Sequence, residues 1–389
     1  MKLISKSLLI EHESKRPPVA GFITYISNSK PVLMHCYGWE DYSDGYDDYS
    51  WSISEDNGQT WSQPKLHWKG YPVPEGKIRY GEPSAFFDSD RRKLVVVTDK
   101  ILCPNDQLDI DQTYSLAMDI YDADQRVWTQ RTLLDFFPEL SPFVSFGFPI
   151  KASQGSILFP AMRQVRDSAG KVLHHKDCWA PVNEPVIIIG QYDSLSHLHW
   201  RLSRPVPVNP DLSSRGLEEP ALLELGNGQI IAVCRGDNSM FTDKPGYKWL
   251  SFSSDQGETW SVPTPLLATD GTHLESGANG SAFFRSIANG KLYWIGNPCL
   301  SGQKAKGNWP RLALVAAEVQ EEPFAIKKDT FFVIDEKNYN DSADIQFSNF
   351  RFYQDRKTGN LILYMVRYCQ QGLQEWWRTD YYKYEVKIH

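Results

Sequence analysis

Ser54-Glu-Asp56-Asn-Gly58-Gln-Thr60-Trp61-Ser-Gln-Pro64 and Ser253-Ser-Asp255-Gln-Gly257-Glu-Thr259-Trp260-Ser-Val-Pro263 are near copies within one chain. Each follows a short run with strand chemistry, Tyr49-Ser-Trp-Ser-Ile53 and Tyr247-Lys-Trp-Leu-Ser-Phe252. In such a segment the glycine of an Asp-x-Gly turn supplies positive φ, and the Asp carboxylate accepts nearby backbone N–H groups. The Thr and Trp then re-enter a strand, with the indole packed over the turn. The element locks a hairpin and is structural. Two weaker copies keep an Asp and the terminal Trp: Tyr121-Asp-Ala-Asp124-Gln-Arg-Val-Trp128 and Tyr192-Asp193-Ser-Leu-Ser-His-Leu-His-Trp200. The tryptophans at 61, 128, 200 and 260 are thus 67, 72 and 60 residues apart, the length of a four-stranded blade with its loops.

Between these landmarks run short β segments bounded by turn residues, among them Lys93-Leu-Val-Val-Val-Thr98, Gly155-Ser-Ile-Leu-Phe159, Gly228-Gln-Ile-Ile-Ala-Val-Cys234, Gly290-Lys-Leu-Tyr-Trp-Ile295 and Gly359-Asn-Leu-Ile-Leu-Tyr364. Almost no segment carries a sustained helical period. Dividing 389 residues by a period of about 65 gives close to six blades. The pattern predicts an all-β chain, a six-bladed β-propeller of four-stranded antiparallel blades, with residues 1–389 as one domain. A terminal strand, Tyr381-Tyr-Lys-Tyr-Glu-Val-Lys-Ile388, is expected to pair with Lys2-Leu-Ile-Ser-Lys-Ser-Leu-Leu9 and remove a free sheet edge.

Hydrophobic residues at 41% and charged residues at 23% exclude a disordered or fibrous chain. Forty-one Lys plus Arg stand against 48 Asp plus Glu, a net charge of −7. Such a balance repels phosphate backbones and argues against nucleic-acid binding. No apolar run reaches the ~18–20 residues that span a bilayer, so no membrane partner is expected. The start, Met1 to Ile10, runs straight into Glu11, Glu13, Lys15 and Arg16 and lacks the apolar core of a secretory signal. The expectation is a cytoplasmic protein, or a secreted or periplasmic one whose signal was removed. Cys36, Cys103, Cys178, Cys234, Cys299 and Cys369 form no CxxC pair, so thiolate zinc and redox motifs are unsupported, and free buried thiols are expected. The adjacent His174 and His175 point to opposite faces of an extended segment, and no metal or cofactor is expected.

The Ser-x-Asp-x-Gly-x-Thr-Trp pattern resembles the Asp-box (BNR repeat) of the sialidase, or neuraminidase, superfamily of six-bladed propellers. A second likeness is Glu218-Glu219-Pro-Ala-Leu-Leu-Glu-Leu225-Gly-Asn-Gly228-Gln-Ile-Ile-Ala-Val-Cys-Arg235. It is similar to the family segment in which a Glu opens a strand and an Arg closes the next one. There the Glu polarises the nucleophile and the Arg belongs to a three-Arg clamp on the substrate carboxylate, which implies Glu219 and Arg235. Gly296-Asn-Pro-Cys-Leu-Ser-Gly, with Asn308-Trp-Pro-Arg311 beyond it, resembles the segment of a second clamp Arg, implying Arg311. Arg16-Pro17-Pro18 resembles the Arg-x-Pro that supplies the third. Arg79, in Ile78-Arg-Tyr-Gly-Glu82, and Arg163, in Pro160-Ala-Met-Arg, are placed similarly and compete for that role. Arginine suits a carboxylate clamp because its planar fork binds bidentately and stays charged.

Sialidases use Tyr as nucleophile and an Asp as acid/base. The resemblance places the Asp in the loop ahead of the first Asp-box, here Gly38-Trp-Glu-Asp41-Tyr-Ser-Asp44-Gly-Tyr-Asp47-Asp48-Tyr. So dense a cluster raises at least one carboxyl pKa by like-charge repulsion, as a general acid needs. Asp48 and Asp47 are the expected acids, with Asp44 third. The family nucleophile falls on Asp344-Ile-Gln-Phe347-Ser348-Asn349-Phe350, where Phe347 has no nucleophilic atom. Tyr339, eight residues earlier, is a substitute only if its loop folds inward. An enzyme without that Tyr uses two carboxylates, here Glu219 and an Asp of the hairpin, as propeller exo-arabinanases use paired Glu residues. His273 and Glu275, in Thr272-His273-Leu-Glu275, are further candidates to line the site. Trp39, Trp179, Trp249 and Trp309 lie outside the Trp repeat and offer ring faces for sugars.

These residues point to an exo-acting glycoside hydrolase of the sialidase-like superfamily that removes a terminal acidic sugar from an oligosaccharide or glycan. The alternatives are an exo-arabinanase-like enzyme on neutral sugars, a polysaccharide lyase on the same propeller, and a non-catalytic carbohydrate-binding propeller.

Overall fold

The structure, a computed structural model, describes residues 1–389 apart from 14, 108–111, 130, 135–140, 145, 242 and 301. It is all-β, with two 3-10 turns and no α-helix among the described residues. Six antiparallel sheets follow one another along the chain, the fold of a six-bladed β-propeller. Among the described residues no helix is long and apolar enough to cross a membrane.

The chain divides into two compact units. One comprises Met1–Leu134, Ser286–Gly290 and Lys337–His389. Its first sheet runs Pro18–Tyr25, Leu33–Glu40, Tyr46–Ser54, Lys65–Trp68 in spatial order. A second is built on Gly76–Asp88, Lys93–Pro104 and Thr113–Asp122. A third carries Gln346–Gln354, Leu361–Tyr368 and Tyr381–Lys387, and its outer edge is the N-terminal strand Lys2–Ile10, with Leu3 opposite Val386 and Leu8 opposite Tyr382. The expected pairing of the chain ends is therefore present. The other unit comprises Asp135–Arg285 and Lys291–Glu336. Its three sheets centre on Ile157–Gln164 with Asn183–Tyr192, on Glu218–Glu224 with Ile230–Arg235 and Lys248–Ser253, and on Leu292–Gly296 with Ala313–Gln320.

Three sheets have the four strands expected, and the other three add short strands of two to five residues such as Thr132–Leu134 and Phe332–Glu336. These additions lie in stretches without a clean period of two, which is why the sequence pattern passes over them. The second strands carry the apolar runs, Leu94 to Val97 and Ile230 to Cys234, and are buried on both faces. Each unit has its own cores. One contains Val19, Met34, Trp51, Trp68 and Val96, and another, in the second unit, Ile231, Val233, Trp294 and Ala317. All six cysteines are free, and five are buried.

The repeated turns fold as their chemistry dictates. Asp56 accepts the backbone N–H groups of Gln59 and Thr60 and the Thr60 hydroxyl, while Ser54 Oγ accepts Gly58 N–H at 2.7 Å. Asp255, Thr259, Ser253 and Gly257 repeat the pattern. Gly58 and Gly257 adopt φ +80° and +87°, and a Cβ on either would come within 4 Å of the following Trp ring. In the weaker copies the accepting carboxylates are Asp122 and Asp193. In the first of them Asp122, rather than Asp124, therefore makes the turn.

Candidate functional site

Glu218 and Glu219 open one strand, and Arg235 ends its antiparallel neighbour directly opposite Glu218. Successive side chains of a regular strand point to opposite faces, so two adjacent glutamates should not share a partner. Here they do. The register shifts between Glu218 and Ala221, and Glu219 takes φ +48°. This bulge turns both carboxylates onto one guanidinium: Arg235 Nη1 donates to Glu219 Oε1 at 2.6 Å, and Arg235 Nε lies 3.2 Å from Glu218 Oε2. Left-handed backbone at a non-glycine residue costs free energy and gathers at functional sites, as bulges do.

Further groups complete the cluster. Glu218 also accepts from Asn183 at 2.7 Å and from Arg215 at 2.9 Å, and Arg235 Nη2 donates to Asn308. Arg311 donates to the Ala278 carbonyl. Lys248, opposite Arg235 on the next strand, is wholly buried and donates to the backbone and side-chain oxygens of Asn279. Burial raises the Glu219 pKa, but the charges of Arg235, Arg311 and Lys248 outweigh it and hold the carboxyl below its ordinary value. Burial pulls the Lys248 ammonium down to about 7, against the opposing pull of Glu219. The result is an ionised Glu219 held by the Arg235 and Arg311 guanidiniums, with Glu218 sharing Arg235 and Lys248 only partly charged near neutrality, suited to attracting water or an electrophile.

Sequence motifs find Glu219, Arg235 and Arg311. They miss Lys248, which stands at the head of an otherwise apolar strand, and Glu218, whose signal was the doubled glutamate.

The acidic hairpin belongs to the other unit and separates into distinct roles. Asp47 is buried, accepts the N–H of Gly70 at 2.7 Å and pairs with Lys77 at 2.6 Å and Arg79 at 3.6 Å. Asp44 accepts the Tyr46 hydroxyl at 3.1 Å. Asp48 is half-buried at φ +55°, 3.5 Å from Arg16. Arg16 also pairs with Asp41 at 2.8 Å. Arg79 is buried within ion pairs to Asp41 and Asp106. The carboxyl of this stretch that is pushed up is Glu40, to about 8, by burial first and then by the Asp44 and Glu82 charges. Tyr368 donates its hydroxyl to Glu40 at 3.0 Å. The raised carboxyl is thus Glu40 and none of the three aspartates expected, and burial rather than like-charge repulsion is its main cause, which the sequence does not show.

Three other candidates sit in local contacts. Arg163 pairs with Glu184, its cross-strand neighbour, at 2.7 Å. His273 is exposed and packs edge-on against Tyr247, with ring centres 4.8 Å apart. Glu275 accepts the Ala305 N–H at 3.0 Å and lies 3.5 Å from Lys304. Phe347 is wholly buried with the Arg367 guanidinium 5.2 Å from its ring centre, so the position is packed core. Tyr339 is 98% exposed and lines no enclosed site.

No protein-family profile matches the sequence, and no curated protein matches it. Solved structures share the fold at low identity. The intramolecular trans-sialidase from Ruminococcus gnavus, in complex with oseltamivir carboxylate, is 13% identical with TM-score 0.65, over 100% of this chain and 98% of that one. The Hadza microbial sialidase Hz136 is 13% identical with TM-score 0.62, over 96% of this chain and 66% of its own length. The Penicillium chrysogenum α-L-arabinanase complexed with arabinobiose is 13% identical with TM-score 0.56, over 100% and 99%. The chain thus shares the six-bladed propeller of sialidases and arabinanases.

Proposed function

We propose that this protein is a glycoside hydrolase that removes a terminal acidic sugar from a glycan, with Glu219 as the ionised carboxylate of the reaction and Arg235 and Arg311 as the carboxylate-recognising pair. One observation carries the reading. A strained bulge presents Glu219 to Arg235 and Arg311, the two permanent cations that hold it ionised and favour a further anionic group. Structural neighbours described as sialidases and a trans-sialidase support the reaction class. The repeated turns are read as Asp-boxes, serving the scaffold.

Because Glu219 is held ionised, it acts as base or nucleophile and not as acid. Proton delivery is assigned to the hairpin. Asp48 is the half-exposed aspartate there, and Glu40 is the carboxyl that stays protonated to about pH 8. Acid catalysis matters most for poor leaving groups. Asp48→Asn or Glu40→Gln, whichever removes the donor, therefore slows alkyl glycosides and spares activated aryl glycosides, while Glu219→Gln slows both by roughly a hundredfold or more. A panel of aryl and alkyl glycosides of sialic, uronic and neutral sugars tests this. Undiminished turnover by Glu219→Gln refutes the assignment.

A second reading is favoured by Phe347. With a packed ring where the family keeps its Tyr, the site hydrolyses neutral sugars with paired carboxylates, or binds glycans without turnover. The arabinanase likeness supports the first form. Binding without product release from any member of the panel would favour the second.

A further inference from the structure

Trp179 is 76% exposed, and every other tryptophan among the described residues is buried or half-buried. Its chain neighbours Cys178 and Ala180 are buried, so the backbone is fixed on both sides while the indole stands in water. The surrounding segment, residues 165–182, is tightly bonded to itself. Val165 N–H donates to Val182, Leu173 to Val165 and Val182 to Leu173, each at 2.8 Å, and an isolated bridge joins Arg166 to Val172. His174 Nδ1 lies 3.0 Å from the Cys178 carbonyl, and Cys178 N–H donates to His175 at 3.0 Å. The indole is therefore presented by a rigid mount, which lowers the ordering cost of binding.

What stands beside it is polar. The Arg215 guanidinium carbon lies 5.9 Å from the Trp179 ring centre. Arg215 Nη2 donates to Glu218 at 2.9 Å, Glu218 pairs with Arg235, and Arg235 with Glu219. Arg215 Nε is buried and has no hydrogen-bond partner among the described residues. An exposed apolar ring with a guanidinium 5.9 Å from its centre, joined by three ion pairs to the catalytic carboxylate, matches a sugar ring, whose C–H face stacks on an aromatic while its polar rim meets a charged group. A protein interface would present a cluster of apolar anchors. Here Leu173 is the segment's other exposed large hydrophobic, and Lys171, Lys176 and Asp177 are exposed around it.

We infer that Trp179 and Arg215 form a saccharide subsite that receives the sugar ring to which the terminal residue is attached. The identity of that ring rests on the proposed hydrolase reading; the stacking itself does not. The subsite makes the enzyme bind a glycoside more tightly than the free terminal sugar.

Wild type, Trp179→Ala and Trp179→Phe are compared by steady-state kinetics on an aryl glycoside and on oligosaccharides ending in sialic acid, glucuronic acid or arabinose. Tryptophan emission is titrated with the same oligosaccharides. Trp179→Ala is expected to raise KM for the oligosaccharide, and for the aryl glycoside whose ring takes the same place, roughly tenfold, leaving kcat and inhibition by the free terminal sugar unchanged, with Trp179→Phe in between. Oligosaccharide shifts the emission of wild type and not of Trp179→Ala. Unchanged KM in Trp179→Ala, or an emission change that survives the substitution, overturns the subsite while leaving the hydrolase reading intact. A Trp179-dependent emission change without turnover by any variant upholds stacking and overturns the hydrolase reading. Neither turnover nor emission change overturns both.

Discussion

Two neighbouring carboxylates reach one guanidinium because residue 219 leaves the β region, and that local distortion is the most informative feature of the molecule. Arg235 neutralises both in a buried setting, so Arg235→Met leaves two carboxylates without their central partner. The expected loss is about 3–5 kcal/mol of unfolding free energy, read from urea denaturation. Glu40 makes a pH prediction. Its folded pKa of about 8 lies above the ordinary 4.5, so its contribution to stability is complete below pH 4.5 and is lost as pH rises toward 8. The decline is about 1 kcal/mol per pH unit in that window. Glu40→Gln should melt near wild type at pH 5 and above it at pH 9; equal melting at both would refute the assignment. Sequence exposes residue type and spacing, and so singles out Glu219, Arg235 and Arg311, which the fold brings into one cluster. It does not expose burial, and so could not rank Glu40 above Asp44, Asp47 and Asp48, or notice Lys248.

The elements that place these residues were largely written in local chemistry. The Ser-x-Asp-x-Gly turns specify their own hydrogen bonds, and both strong copies form them. Ser253 Oγ accepts a buried N–H from Gly257, so Ser253→Ala should cost about 1–2 kcal/mol, with Ser54→Ala similar, measurable as a fall in the urea midpoint. The bulges were not legible. Register shifts occur at Ala20/Phe22, Gly81/Ser84, Glu218/Ala221 and Ser348/Arg351, near the start of four strands or within them. A bulge is a property of two strands in register, and one strand's sequence does not contain it. The short supplementary strands escaped for the same reason, because they exist through pairing with a neighbour.

At the scale of the whole molecule, periodicity carried the fold. Four tryptophans gave a blade length, and the length of the chain gave the number of sheets. The strand Lys2–Ile10 occupies the outer edge of a sheet otherwise built from residues beyond 345. Deleting it should expose the row of N–H and C=O groups on Tyr381–Lys387 and produce concentration-dependent aggregation, checked by light scattering at several protein concentrations. Net charge misleads about ligands at this scale. The chain carries −7, yet Glu219 sits beside the Arg235 and Arg311 guanidiniums, so the acidic sugar proposed above would be met by local potential and not by the average. The most direct test is calorimetric titration of the wild type with a sialic or uronic acid and with the matching carboxamide, which keeps the ring and removes the charge. The acid should bind, and the carboxamide should bind roughly tenfold more weakly or worse, with the difference shrinking in Arg311→Met. Equal affinity for acid and carboxamide would contradict carboxylate recognition by Arg235 and Arg311.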